Sequence, residues 1–285
     1  MSLKVWIDGQ LFDKENARIS VYDHGLLYGD GVFEGIRVYA GHIFEADAHL
    51  RRLFESAKAI RLTIPLPADR ILAAVEQTVK ANSFTDCYIR LIVTRGVGYL
   101  GLNPNKCSNP SVIVITDTIE MYPPEMYRNG MSVITASVVR NHSNSLSPRI
   151  KSLNYLNNIL AKIEAIDAGV PEAIMLNING NVAECTGDNI FIVKDGVVRT
   201  PGTAEGLLEG VTRGVMLRLC HQLGIPSNET TLQRHDLYRA DECFLTGTGA
   251  EVVPVTRIDG RPVGNAEPGP ITRRLIEAFH KLVRA

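Results

Sequence analysis

The chain has 285 residues, 45% hydrophobic and 21% charged, with 30 lysines and arginines against 31 acidic residues. A formal net charge of −1 excludes a general electrostatic field for nucleic acid or an anionic membrane, and apolar runs as short as Val112–Ile115 exclude a bilayer-spanning helix. Five cysteines without C-x-x-C spacing and seven scattered histidines point to reduced thiols in a cytoplasmic protein, not to a disulfide frame or a metal centre.

In chain order, "VWIDGQL" predicts a hairpin turning at Asp8-Gly9, with strand-like alternation and no signal-peptide core before it. "VYAGHIF" predicts a second hairpin at Ala40-Gly41. Helices are expected over Asp47–Leu62 and, after Pro65 and Pro67, over Ala68–Ala81. "CYIRLIVTRG" and "SVIVIT" read as buried strands. Pro123-Pro124 can continue neither a helix nor a central strand, so the spacing predicts a domain over 1–120, a linker over 121–130 and a second domain over 131–285. The second half opens on the strand "SVITASVVR". A helix follows, carrying Lys151 at its mouth and the apolar stripe Leu153, Leu156, Leu160 and Ile163 toward the core. Hairpins are expected at Asn179-Gly180 and Asp195-Gly196, and a helix over Val211–Leu223 stops at Gly224. The fold class is α+β in two domains, an arrangement that favours a ligand cleft between them.

Four features could carry chemistry. Lys151 stands beside Asn154 and Tyr155. Drawn inward it would be a nucleophilic amine, while the alternative is a plain lysine at a helix edge. Lys162 and Lys194 read as solvated charge. Glu184, in "VAECTGDNIF", is either a carboxylate facing a cleft or an exposed strand end. "LLEGVTRGV" puts Gly210, Val211 and Thr212 at a helix start, and "FLTGTGAE" brackets Thr248 between Gly247 and Gly249; both are plausible anion cradles. Together these suggest pyridoxal phosphate, which needs an amine, an acid partner for its ring nitrogen and a phosphate site.

The segments "YGDGVFEGIRVY", "HLRRLFESAK", "YIRLIVTRGVGYLGLNP", "IKSLNYLNNILAKIEA", "VAECTGDNIFIVKDG", "LLEGVTRGV" and "FLTGTGAEVVPV" resemble the fold-type IV aminotransferases, most closely the branched-chain amino acid enzymes. The resemblance implies pyridoxal 5'-phosphate in the interdomain cleft and a homodimer at minimum, with a hexamer also open. It implies that Lys151 carries the cofactor and moves the α-proton, that Tyr155 hydrogen-bonds the phenolic oxygen and that Glu184 pairs with the ring nitrogen. It also implies that Arg52, Val211, Thr212 and Thr248 hold the phosphate and that Leu208 packs on the ring. Helical periodicity alone makes Arg52 a solvated arginine, opposite Leu50, Leu53, Phe54 and Ala57.

For the substrate, the resemblance implies a pocket walled by Phe33 and Tyr28 and lined by Leu100 and Leu102 of a neighbouring subunit. The α-carboxylate would meet Tyr88 and the backbone of Gly249 and Ala250, and Arg90 or Arg37 would meet the distal carboxylate of glutamate. Gly249 departs from an alanine frequent in relatives. The implied reaction is transamination of leucine, isoleucine and valine with 2-oxoglutarate. A D-amino acid aminotransferase is the nearest rival, but Leu100 and Leu102 stand where those enzymes trap a carboxylate with arginine and histidine. "FEGIR" argues against an aminodeoxychorismate lyase, and intact Lys151, Tyr155 and Glu184 argue against a non-catalytic cofactor-binding protein.

Overall fold

The computed structural model describes residues 2–284, and the chain divides into two compact units. The first runs to Ile119 and adds Ile150–Asn154; the second takes Glu120–Arg149 and the chain from Tyr155 onward.

In the first unit, β1 (Lys4–Ile7) and β2 (Gln10–Asp13) turn at Asp8-Gly9, where both residues have positive φ, 47° and 98°. Such a two-residue turn matches the twist of its strands and favours Asp-Gly. A short helix, α1 (His24–Tyr28), precedes β3 (Gly31–Tyr39) and β4 (His42–Ile43), which turn at Ala40-Gly41. Then come α2 (Ala46–Ala59), α3 (Ala68–Ala81), β5 (Cys87–Thr94) and β6 (Ser111–Asp117). The sheet order is β2-β1-β6-β5-β3-β4, antiparallel throughout. One sheet face, with Val32, Ile36, Ile89 and Leu91, is covered by Leu53 and Ala57 of α2 and Ile71 and Val75 of α3.

The segment Ile150–Asn154 differs from expectation. It is extended and lies along the start of β3: the Phe33 N–H donates to the Lys151 carbonyl at 3.0 Å, and the Leu153 N–H to the Gly31 carbonyl at 2.9 Å. Lys151 therefore sits in an irregular segment that an isolated bridge at Ser152 joins to β3, five residues ahead of α6 and not at its mouth.

The second unit opens with α4 (Pro124–Asn129). The prolines do not prevent this helix. Pro124 occupies the first turn, where its missing N–H has no helical acceptor to lose and its fixed φ suits the helix. Next are β7 (Met131–Thr135), α5 (Ser143–Leu146), α6 (Leu156–Asp167), β8 (Glu172–Leu176), β9 (Val182–Cys185), β10 (Asn189–Lys194) and β11 (Val197–Pro201). The chain continues through α7 (Val211–Gln222), β12 (Ser227–Thr230), α8 (Arg234–Tyr238), β13 (Glu242–Gly247), β14 (Glu251–Ile258), β15 (Arg261–Pro262) and α9 (Pro270–Leu282). Its sheet runs β12-β11-β10-β13-β14-β7-β8-β9, with β15 beside β14. Phe191 and Phe244 stack within it at a centroid distance of 4.9 Å. Among the described residues no helix is long and apolar enough to cross a membrane.

Helix α6 inverts its expected orientation. Asn158, Ala161 and Ala165 are buried, whereas Leu156, Leu160 and Ile163 of the apolar stripe are 62%, 46% and 47% exposed. The buried face packs with Ala136, Ala173 and Met175, and the alanines on both sides of the contact let the helix approach the sheet closely. Lys162 is not simply solvated either: its ammonium lies 3.6 Å from Glu172 and 6.0 Å from the Tyr122 ring centroid. A larger side chain on the alanine face should not fit. Ala165→Leu is expected to destabilise the protein by about 1–3 kcal/mol through overpacking. A urea midpoint unchanged from wild type would contradict this packing.

Candidate active site

Two polar clusters stand out, one in each unit. In the first unit, Phe33, Gly35 and Arg37 of β3 lie opposite Ile92, Arg90 and Tyr88 of β5, so these six share a sheet face. The Lys151 ammonium is 4.4 Å from the Phe33 ring centroid, and the Arg90 guanidinium carbon is 4.6 Å from the same centroid and 5.4 Å from that of Tyr88. Two cations thus lie against one apolar ring, a favourable contact with its π system. A Cβ at residue 35 would lie 2.0 Å from the Tyr88 hydroxyl, so only glycine lets Tyr88 cross β3 there. Arg37 turns to Tyr39, 5.2 Å from its ring centroid.

Behind this face, Glu34 is fully buried. It accepts hydrogen bonds from Arg52 Nε and Nη2, both at 2.8 Å, and from His49 Nδ1 at 2.7 Å. Burial alone would raise its pKa, but Arg52 and His49 outweigh burial and hold it at about 2. The Arg52 side chain is 11% exposed, not solvated as its helical phase suggests. Ser56, one turn further on, receives the Lys151 N–H at 3.1 Å.

Not every expected pocket residue joins this group. Tyr28 ends α1 and stacks edge-on with His24 at 5.0 Å. Leu100 and Leu102 lie in the loop between β5 and β6, 68% and 80% exposed. Within the chain they do not reach the Phe33 face.

In the second unit, Glu184 at the end of β9 is buried, 5% exposed, and not a free strand end. Arg140 Nε donates to its Oε1 at 2.9 Å; the Leu208 N–H at 3.0 Å and Asn189 Nδ2 at 3.3 Å donate to Oε2. Asn189 also donates to the Leu208 carbonyl at 2.9 Å, and Asn157 accepts from Arg140 Nη1 at 3.0 Å. A buried carboxylate so held has one fixed direction to present. Tyr155, half-buried, caps α6 just before Asn157.

The anion cradles border this cluster. The first α7 hydrogen bond closes from the Gly214 N–H to the Gly210 carbonyl, so the N–H groups of Val211, Thr212 and Arg213 lie ahead of the helical ladder, with no side-chain cap at Gly210. Thr246 pairs with Asn189 across β13 and β10, placing its side chain on the Asn189 side. Its buried hydroxyl lacks a protein partner. The turn from Gly247 through half-exposed Thr248 and Gly249 to buried Ala250 follows at once. In the second unit a clamped carboxylate, open helical N–H groups and an orphaned hydroxyl are of the kinds pyridoxal phosphate requires, and the first unit by itself offers an amine. Among the described residues no group of three or more His, Cys, Asp and Glu could hold a metal ion.

Residues 31–258 match the amino-transferase class IV family. The chain belongs to this family. A Methanocaldococcus jannaschii protein provisionally named branched-chain-amino-acid aminotransferase is 50% identical over 277 residues, covering 97% of this chain and 95% of its own length. The crystal structure of the Escherichia coli branched-chain amino acid aminotransferase superposes with a TM-score of 0.96 at 35% identity, covering 99% of this chain and 95% of that one. The crystal structure of the branched-chain aminotransferase from Thermoproteus uzoniensis, with norvaline, gives 0.94 at 39% identity, covering 100% of this chain and 95% of that one. Class IV aminotransferases use pyridoxal 5'-phosphate.

Four functional candidates in this class IV chain escape the sequence reading: Arg140, Asn189, Glu34 and His49. Arg140 ends the expected strand "SVITASVVR", but β7 stops at Thr135, and nothing in the sequence marks the arginine as a partner of Glu184. Glu34 and His49 could have been found, because a glutamate inside the apolar run of β3 requires buried partners.

Beneath the Gly247 turn lies a second buried acid pair. Asp188 and Glu172 both accept from Tyr122 Oη, at 3.0 and 3.3 Å, and a Cβ at residue 247 would lie 2.0 Å from Asp188 Oδ1. Glu172 also accepts from the N–H groups of Ala173 and Thr186 and from the Thr186 hydroxyl, and it forms an ion pair with the Lys162 ammonium at 3.6 Å. Burial, and then the charge of Glu172, push Asp188 up to about 7, despite the Tyr122 hydrogen bond and Lys162. Its folded pKa exceeds the unfolded value of 3.8, so the folded state binds the extra proton. This contribution to stability is full below pH 3.8 and is lost as pH rises through about 7. Asp188→Asn should remove that loss, flattening the decline between about pH 4 and 7, an effect of roughly 4 kcal/mol at most. Parallel declines in urea titrations of wild type and variant would show that Asp188 is already ionised.

Proposed function

We propose that this chain transaminates the branched-chain L-amino acids leucine, isoleucine and valine, with 2-oxoglutarate as the amino acceptor. The observation that carries this reading is the Phe33 ring with Arg90 and Lys151 against it, which offers an apolar wall and a cation at one place. A leucine side chain fits the first and a glutamate carboxylate the second.

The cofactor, when bound, supplies a carbonyl that takes up the amino group and a ring that accepts electrons from the α-carbon. The residues do the rest. Lys151 is the residue that would hold the cofactor covalently, and its amine would move the proton at the α-carbon. Its main chain is hydrogen-bonded to Phe33 and Ser56, which confines its reach. Glu184, clamped by Arg140, would pair with the ring nitrogen and keep its proton in place. Tyr155 hydrogen-bonds the phenolic oxygen and Leu208 packs on the ring. Arg52, Val211, Thr212 and Thr248 hold the phosphate. Tyr88 with the Gly249 and Ala250 backbone takes the α-carboxylate, Tyr28 and Phe33 shape the side-chain pocket, and Arg37 is a second cation for glutamate.

Leu100 and Leu102 would line that pocket from a second copy of the chain, since within their own chain they are exposed. A homodimer at minimum is part of this reading, and the exposed apolar face of α6 is a further surface suited to a second copy. All five cysteines are unpaired, which suits a reducing cytoplasm.

The amine assignment is tested first. Lys151→Ala should lose nearly all turnover, and borohydride reduction of the wild type should leave the cofactor on the peptide containing Lys151. Label on any other lysine rules the assignment out.

Dual specificity is tested by separating the half-reactions. Burying a leucine side chain against the Phe33 wall is worth roughly 1.5–3 kcal/mol, and a charge-assisted contact from Arg90 to glutamate about 1.5–3 kcal/mol. Arg90→Leu should therefore slow the half-reaction with glutamate by tenfold or more, at about 1.4 kcal/mol per decade, while sparing that with leucine. Equal slowing of both in single-turnover absorbance measurements would make Arg90 an α-carboxylate or structural residue.

A further inference from the structure

Glu34 and His49 have no role in the function set out above, yet their cluster with Arg52 is costly to build. A carboxylate with no exposure lies in the apolar layer between β3 and α2, beside Val32, Ile36 and Leu53. Three donors converge on it: Arg52 with the Nε–Nη2 edge of its guanidinium, and His49 with Nδ1. Residues 49, 52 and 56 recur at three- and four-residue spacing, so they share one face of α2. That face holds Glu34 through its first two members and the Lys151 main chain through Ser56. The His49 ring is neutral, because burial disfavours its charge more strongly than Glu34 favours it. Its Nε2 is buried without a protein partner. The ring therefore adds a hydrogen bond to Glu34 without adding charge.

We propose that Glu34 and His49 are positioning residues that fix the Arg52 guanidinium as a rigid anion-binding fork. The proposal rests on the reading that Arg52 serves the cofactor phosphate. An arginine on this turn of α2 would otherwise extend into water and sample many rotamers, as its helical phase suggests. Gripped along one edge by both oxygens of Glu34, the planar group has one orientation, and its opposite edge faces away from Glu34. His49 fixes one oxygen of the carboxylate and so the plane of the fork. The arrangement also makes the Glu34–Arg52 pair neutral overall. Arg52 then acts on a phosphate through preorganised donors and not through net charge.

This feature separates positioning from simple electrostatics. Glu34→Gln removes a negative charge next to Arg52. If charge alone mattered, the full-length variant would bind pyridoxal 5'-phosphate more tightly. If positioning matters, it binds more weakly, by about tenfold or more, the typical worth of one charge-assisted contact. The dissociation constant is measured by equilibrium dialysis well below the melting temperature, so that a general loss of stability does not register. His49→Asn keeps an N–H near the place of Nδ1 and should stay within about threefold of wild type, whereas His49→Leu should weaken binding by about fivefold or more, less than loss of a full charged contact. Should Glu34→Gln not fold, this pair decides alone. Equal affinity of the two His49 variants, or a Glu34→Gln variant binding as tightly as wild type or tighter, overturns the proposal. Arg52→Met tests the underlying reading separately: unchanged cofactor affinity there removes Arg52 from the phosphate site, while weakened affinity there with an unaffected Glu34→Gln leaves Arg52 in place and removes only the positioning role.

Discussion

The main-chain pairing of Lys151 with Phe33 is the constraint on which the catalytic reading depends. Strand β4 reaches only Val38 and Tyr39 at the far end of β3, so the start of β3 is an open edge. Ile150–Asn154 fills that edge with two backbone hydrogen bonds and a third to Ser56. An uncovered edge attracts other chains, and here it is covered by the stretch that carries Lys151, the amine proposed to hold the cofactor. A lysine on a long loop would have a floppy main chain as well as a floppy side chain. On a sheet edge only the side chain moves, and its ammonium rests against a ring anchored in the same pairing.

Three buried carboxylate systems show two solutions to one problem. Glu34 and Glu184 are each neutralised by an arginine and then oriented by uncharged donors, His49 for the first and Asn189 with the Leu208 N–H for the second. Both present a carboxylate in one fixed direction at low exposure. Asp188 has Tyr122 and a neighbouring carboxylate instead of a guanidinium, and a proton takes the place of the missing cation. The first solution suits a group that must present charge in one direction. The second suits a floor beneath a tight glycine turn, where the Asp188 oxygen occupies the space a side chain at residue 247 would need.

Local signals are legible where local physics decides. Three of the four expected hairpins turn where Asp-Gly or Ala-Gly meets positive φ at both positions, whereas β8 and β9 are joined by the longer stretch 177–181 with positive φ at Gly180 and not at Asn179; α3 spans its expected residues because prolines precede it and Asn82 follows it. Signals fail where a distant group decides. The α6 stripe predicts a core face, but the sheet beneath it offers alanines and takes alanines in return, leaving the large side chains outside. Helical phase sends Arg52 to solvent, but a glutamate 18 positions earlier turns it inward. The helical neighbours of Lys151 suggest a helix mouth, yet the backbone of β3 claims it first. Arg140 lies 44 positions from the carboxylate it neutralises, and no spacing rule connects them.

Strand alternation joins the reactive face to its support. Phe33, Gly35 and Arg37 point to the side where Tyr88 and Arg90 stand; Val32, Glu34 and Ile36 point to the side that α2 covers. Phe33 touches Lys151 and Arg90, and its chain neighbour Glu34 grips Arg52 and His49. A shift of one residue in the β3 register would exchange these roles, driving Arg37 into the apolar layer and Glu34 onto the open face. The register is held by eight consecutive pairs with β5 and by the Lys151 segment along the opposite edge. The same hydrogen bonds that define the sheet therefore decide which side chains share the Phe33 face and which lie behind it with Arg52 and His49.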